Sequence, residues 1–285
     1  MLTNKYNLPP PFYYALQWDD YTKGDSDISV STLIDSPMIA YLKKRHGKEI
    51  QRDVSDYSYI LDGKAEDVVI ENTEGPEILH KQRRLFSTVD GVKVSGMFDV
   101  LYQDWDGATV LGDLKRTSVW SIIKKNSRKW EAQLNLYHWL GVESGFFEDH
   151  DIKIDRLAIL ASIRDWVRSK RGEDNYPPSP FAVLDIDLWT HEKGTSYVKE
   201  QLRLHSSHPK QCSDEDRWKT KDEWAVKKKT QKRAVRVIKT GEHDALRFIE
   251  SKFPEKLFIE HRPGGYRRCE DYCDVSNFCP IWRPM

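Results

Sequence analysis

The chain has 285 residues, enough for one domain with a sizeable core, or one domain plus a small cap. Hydrophobic residues make up 39% and charged residues 32%, the balance of a soluble globular protein with a heavily charged surface. Lys+Arg 45 against Asp+Glu 45 gives zero formal charge, so composition argues neither for nor against a polyanionic partner, and only a local basic face can hold phosphates.

The N-terminus MLTNKYNLPPPFYY lacks the pattern of a signal peptide, and no apolar run approaches a membrane span; a cytoplasmic protein with no membrane partner is expected. Residues 1–27 are rich in Pro, Tyr and Asp without a period and read as a surface arm. From Ile28, ISVSTLIDSPMIAYLKKRH reads as a short strand or turn entering a helix, with Asp35 or Ser36 as cap and Pro37 at the first helical position. Tyr57 to Glu71 is the next predicted helix, with Glu66 and Glu71 read as surface charges. His80 opens a strand that Asp90-Gly91 turns into VKVSGMFDVLYQ, and Asp106-Gly107 joins this to TVLGDLKRT as a hairpin. Three antiparallel strands therefore run in sequence to about Thr117.

Asp99 sits late in the middle strand, and Asp113-Leu114-Lys115 ends the third. Alternation puts Asp113 and Lys115 on one face, about 7 Å apart along it. Two carboxylates and a lysine at the end of a hairpin suit a hard cation such as magnesium or manganese, which prefers oxygen ligands, generates hydroxide and offsets charge on a phosphodiester under attack. The lysine would orient or deprotonate water, or hold a phosphate oxygen. The plain alternative is a hairpin with solvated charges, and Asp-x-Lys alone does not exclude it.

Trp130, Gln133, Leu134 and Tyr137 recur at helical spacing, with Trp130, Leu134 and Leu140 as core. Gln133 and Tyr137, one turn apart, either face a substrate or close a buried hydrogen bond. Ile154 to Ser162 reads as a buried strand, RGEDNYPPSP as a loop, FAVLDIDLW as an alternating strand, and Thr190 to His205 as a helix. The elements add up to an α/β protein with a mixed central sheet flanked by helices. Residues 213–240 form the most basic region, with seven Lys or Arg between 227 and 239. Lys227, Lys228, Lys229, Lys232, Arg233 and Arg236 read either as a solvated face or as phosphate contacts, with Trp218 and Trp224 offering stacking surface. All four cysteines lie late. Cys269, Cys273 and Cys279 form C-x3-C-x5-C, and with Cys212 they make four thiolates that suit structural zinc or an iron–sulfur cluster, which spacing does not separate.

Gly96-Met97-Phe98-Asp99, Asp113-Leu114-Lys115 and Gln133-Leu134-Asn135-Leu136-Tyr137 together resemble the PD-(D/E)XK nuclease superfamily. The likeness is to its RecB-like branch, which includes CRISPR adaptation nucleases and phage recombination exonucleases. It covers most of residues 28–137, and the cysteine tail extends it. The resemblance implies a restriction-endonuclease-like core over 28–205, behind the arm of 1–27, with a basic segment and a metal-cluster cap over 206–285. It implies that Asp99, Asp113, the Leu114 carbonyl and Asp67 hold magnesium or manganese, a solvated helix carboxylate being the other reading of Asp67, that Lys115 handles water, and that Gln133 and Tyr137 position the substrate. Ser118 would touch a phosphate and Trp120 would stack a base, although capping and packing are the other readings, and packing is preferred for Trp120.

The likeness further favours a four-iron four-sulfur cluster over zinc on Cys212, Cys269, Cys273 and Cys279. Two positions depart from it: Asp67 stands where relatives carry a histidine, and Gln82 where they often carry a glutamate. The implied function is a metal-dependent DNA exonuclease acting on ends or single strands in recombination or repair, phage-type in character. A single-strand-annealing or binding protein is the implied partner, and a bacterial host cytoplasm the implied compartment. The departures keep a weakened, DNA-binding assembly subunit open as the alternative, and an RNA-directed enzyme as a third.

Overall fold

The computed structural model describes residues 2–17, 22–124, 128–207, 211–252 and 256–282. The chain divides into two units, Met1–Tyr41 with Gly47–Lys210, and Leu42–His46 with Gln211–Met285. The elements begin with β1 (Leu2–Thr3), α1 (Pro10–Gln17), β2 (Ile28–Ser29), α2 (Val30–Leu33), α3 (Pro37–His46), β3 (Arg52–Asp53) and α4 (Ser58–Glu71). Then come β4 (Ile78–Val89), β5 (Val92–Gln103), β6 (Thr109–Thr117), α5 (Val119–Lys124), α6 (Arg128–Glu143), α7 (Phe146–Asp149), β7 (Arg156–Ile163), β8 (Phe181–Ile186) and α8 (His191–Ser206). The second unit adds β9 (Glu223–Lys228), β10 (Arg236–Ile238), α9 (Glu242–Glu250) and β11 (Leu257–Arg262).

Two tight turns set up the main sheet. Asp90 and Gly91 both take positive φ, 48° and 80°, the backbone that a two-residue hairpin needs, and so fold β4 onto β5. At the next turn Gly107 takes φ 83°, its N–H donates to the Asp104 carbonyl, and the Asp106 carboxylate accepts from the Ala108 N–H. β6 then pairs parallel with β7, the crossover being made through α5, α6 and α7, and β7 pairs antiparallel with β8. The sheet is therefore mixed.

β5 is its organising strand. β4 covers one edge of β5 from Val92 to Tyr102. The other edge is shared: β2 pairs with Val94 and Ser95, and β6 pairs with residues 100–103. Residues 96–99 lie between these two ladders.

One face of this sheet buries the core. Leu111, Leu157, Ile159, Ile163 and Leu101 meet Leu134, Leu136 and Leu140 of α6, each 4% exposed or less. Trp130 packs against that cluster half-buried, as the helical period predicted. Gly96 sets how closely α6 approaches β5, since a Cβ there would lie 2.8 Å from both Leu140 Cδ1 and Tyr137 Cδ1. We expect Gly96→Ala to cost about 1–3 kcal/mol of stability through overpacking, as measured by urea denaturation; an unchanged midpoint would show that the helix stands further off.

On β8 the alternation is as the sequence predicted, with Ala182, Leu184 and Ile186 toward the core and Phe181 and Val183 exposed. α8 begins at Thr190, whose hydroxyl accepts from the Lys193 N–H. Residues 2–17 are not the patternless arm that composition suggested. β1 pairs parallel with β3, and buried Asp53 ties it down by accepting from the Lys5 N–H at 2.8 Å and from the Thr3 hydroxyl at 2.8 Å. In the second unit β10, β9 and β11 form an antiparallel sheet, and Ala245 and Ile249 of α9 pack on its Val226.

Candidate active site

The site grows out of the shared edge of β5. β5 and β6 pair as far as Val100 and Gly112 and then part, because β6 continues along β7 while β5 runs on toward β2. The Leu114 N–H, left without a ladder partner at this fork, donates to Asp99 Oδ2 at 2.7 Å. A residue's N–H and C=O point to the same edge of a strand, so the Leu114 carbonyl is turned to the same fork.

Asp113, one residue past the last ladder pair, is 1% exposed. Lys115 follows on the same face and forms an ion pair with Asp113 Oδ2. Apart from that ion pair, neither buried oxygen of Asp113 finds a hydrogen-bond partner among the described residues. Burial pushes the Asp113 carboxyl up against the pull of Lys115. Burial also pushes the Asp99 carboxyl up; neighbouring Asp113 adds to the push and Asp67 contributes a smaller one. Lys115 and the Leu114 N–H pull the other way, and the outcome is about 7. Two carboxylates that resist ionising side by side, one of them buried with no hydrogen-bond donor beyond the Lys115 ion pair among the described residues, form a donor set that suits a hard cation. Asp99, Asp113 and the Leu114 carbonyl fit magnesium or manganese, which keep several waters and rarely need a full protein cage.

The remaining predicted residues divide. Asp67, exposed on α4, acts on Asp99 through its charge, but no three His, Cys, Asp or Glu side chains gather closely enough to hold a metal among the described residues. Asp67 is thus a charged neighbour of Asp99. Gln133 Nε2 donates to Tyr137 Oη at 2.7 Å, and Tyr137 is 6% exposed, so the pair closes the hydrogen bond that was one of its two readings. Ser118 accepts weakly from the Ser121 N–H at the start of α5, which is the capping reading. Trp120 overturns its preferred packing role: it is 60% exposed, with the Lys124 ammonium 4.8 Å from its ring centre.

Glu66 was misread as a surface charge. It accepts from the Ser162 hydroxyl at 2.6 Å and pairs with Arg116 at 3.2 Å, fastening α4 across β6 and β7. No local pattern signals this bond, because Glu66 and Ser162 lie 96 residues apart.

In the second unit, Lys228, Lys229, Lys232, Arg233 and Arg236 are exposed along the β9–β10 hairpin. Lys227 is not: its side chain is 17% exposed and its ammonium pairs with Glu260 at 2.8 Å. Trp224 stacks on His261, and Trp218 packs against Tyr272 with Arg268 over its ring. The four cysteines are unbridged and half-buried. Burial raises the Cys273 thiol, and Cys269 and Cys279 raise it further, against a pull from Arg268. Cys273 thus neighbours Cys269 and Cys279, although among the described residues the cysteines form no ready group of three for a metal.

The sequence matches no protein-family model and no curated protein. Among solved structures it is similar to the crystal structure of SSO0001, at 13% identity and a TM-score of 0.44, over 70% of this chain and 85% of that one. It is also similar to a crystal structure from Eubacterium rectale, that of a candidate exonuclease, at 15% identity and a TM-score of 0.32, over 69% of this chain and 73% of the other. Likenesses this low leave the chemistry to be argued from the residues of the fork.

Proposed function

We propose that the protein is a divalent-metal-dependent phosphodiester hydrolase acting on DNA. The observation that carries this reading is the fork itself, where a buried carboxylate whose one partner among the described residues is the Lys115 ammonium stands beside a second carboxylate held protonated to about 7. Asp99, Asp113 and the Leu114 carbonyl would hold the ion. Magnesium or manganese, when bound, supplies hydroxide near neutral pH and offsets charge on the phosphate. Lys115, beside Asp113, would orient the attacking water or hold a phosphate oxygen. Gln133 and Tyr137 brace each other through their hydrogen bond, with Tyr137 against Gly96.

The finer reading is an exonuclease of the RecB-like, phage recombination type, working on ends or single strands alongside a single-strand-annealing or binding protein. Its cysteine tail would hold a structural four-iron four-sulfur cluster, zinc being the alternative; iron, sulfide and zinc analysis of anaerobically purified protein separates the two. The test of the activity is incubation of end-labelled single- and double-stranded DNA, RNA and a closed circle with magnesium or manganese. Loss of end-labelled DNA with the circle spared is expected. Salt-sensitive binding without hydrolysis in either metal would sink the hydrolase and support a DNA-binding subunit, which the exposed Asp67 favours as the second reading.

The basic hairpin yields a separate expectation. Lys232→Ala with Arg233→Ala should flatten the salt dependence of DNA binding by about one to two in slope, whereas Lys227→Ala, which removes an internal ion pair, should leave the slope unchanged. Equal slopes for both variants, in a titration followed by fluorescence anisotropy, would remove this hairpin from the interface.

A further inference from the structure

We propose that Gln82 is a positioning residue whose left-handed backbone turns Asp99 out of the regular strand alternation and aims its carboxylate into the fork. Its catalytic consequence rests on the hydrolase reading, but its geometry does not.

Gln82 lies inside β4 yet has φ +45°, which side chains with a Cβ rarely adopt in a strand. Lys81 lies opposite Val100 and Arg83 opposite Phe98, so Gln82 and Asp99 share one level of the ladder; the register shift of these strands lies earlier, between Ile78 and His80. At that level both strands lose a step of alternation. Lys81 reaches the carbonyls of Glu71 and Thr73 at the end of α4, whereas Arg83 lies 5.7 Å from the ring centre of Phe146 in the core beside α6. An unbroken strand would put residues 81 and 83 on one face.

On β5, Gly96 sits under Tyr137 and Leu140, and Phe98 belongs to the same core. Leu101, three residues on, belongs to it too, paired with Leu111. Val100 has crossed to the opposite face, against the position a Gly112 side chain would take. A regular strand would send Asp99 to the face opposite Phe98. The break leaves it at the edge instead, where the Leu114 N–H meets it at 2.7 Å and Asp113 is its neighbour. Strained backbone of this kind clusters at functional sites.

The test uses the full chain labelled with 15N-leucine and four variants: Gln82→Gly, Gln82→Asn, Gln82→Ala and Gln82→Val. Glycine and asparagine tolerate positive φ, alanine less so, and β-branched valine least. We expect the Leu114 amide to exchange within about threefold of the parent rate in the Gly and Asn variants, and about tenfold faster or more in the Val variant, with alanine between. Magnesium affinity, by calorimetry with magnesium chloride, should fall in the same order. Leu114 exchange unchanged by valine would overturn the proposal. So would a glycine variant as impaired as alanine, which would assign the role to the Gln82 side chain; that comparison decides the matter if the valine variant fails to fold. A parent protein that protects Leu114 but cleaves nothing would sink the hydrolase reading and leave Gln82 its role. Cleavage by the parent, with Leu114 indifferent to residue 82, would sink this proposal alone.

Discussion

Asp113→Asn and Lys115→Ala should each lower metal-dependent DNA cleavage by about a thousandfold or more while leaving a cooperative unfolding transition. The size follows from removing a group that acts on charge developing in a dry site, where single donors are worth about 10²–10³ and a metal ligand at least as much. The direction for stability is opposite. Asp113 is 1% exposed and its carboxyl is pushed up by burial, so a neutral amide of nearly the same shape relieves a penalty that the metal-free protein carries. The Asn variant should therefore unfold at an equal or higher denaturant concentration than the parent in chelator. Gel assays of end-labelled substrate beside urea melts provide both readouts. Cleavage retained by both variants would place the chemistry elsewhere.

In chelator, the stability of the parent protein should fall as pH rises from about 4 toward 7, and added magnesium should reverse that fall. The Asp99 carboxyl titrates near its ordinary value of 3.8 in the unfolded chain and at about 7 when folded. Between those values the folded state binds the proton that the unfolded state has released, so raising the pH favours unfolding; the loss is complete above about 7. Asp53 does not confuse this window. Burial raises its carboxyl, but hydrogen bonds from Lys5, Ser55 and Thr3 outweigh that and hold it below the ordinary range, so its contribution is lost only at more acid pH.

A cation that binds the ionised fork and not the unfolded chain adds about 2.7 kcal/mol at a hundred times its dissociation constant. Thermal melts across pH 4 to 8 with chelator or magnesium, on the parent and on the Asp99→Asn, Asp113→Asn double variant, check both effects. A double variant that still loses stability over this range and regains it with magnesium would show that the cation acts at another site.

Much of this architecture can be read from neighbouring residues alone. Asp90-Gly91 and Asp106-Gly107 carry the backbone preference that folds three strands into a meander. The helical period of Leu134, Tyr137 and Leu140 places α6 on the core, and Thr190 starts α8. Alternation sets Asp113 and Lys115 on a common face, and the structure makes them an ion pair. These features depend on turn chemistry and on periods a few residues long, which any segment carries with it.

Other features depend on where distant segments meet. Regular alternation could not place Asp99, because its aim depends on a break shared with Gln82 across the ladder and on β2 and β6 dividing one edge of β5. Glu66 became a fastening only once α4 lay against Ser162, and Lys227 left the basic face only once β11 brought Glu260 to it. Trp120 likewise stayed in solvent although its apolar neighbours Val119 and Ile122 were buried. Spacing along a chain specifies which side chains share a face; which neighbour that face meets is set by non-local pairing, and that pairing opens the fork between Asp99 and Asp113.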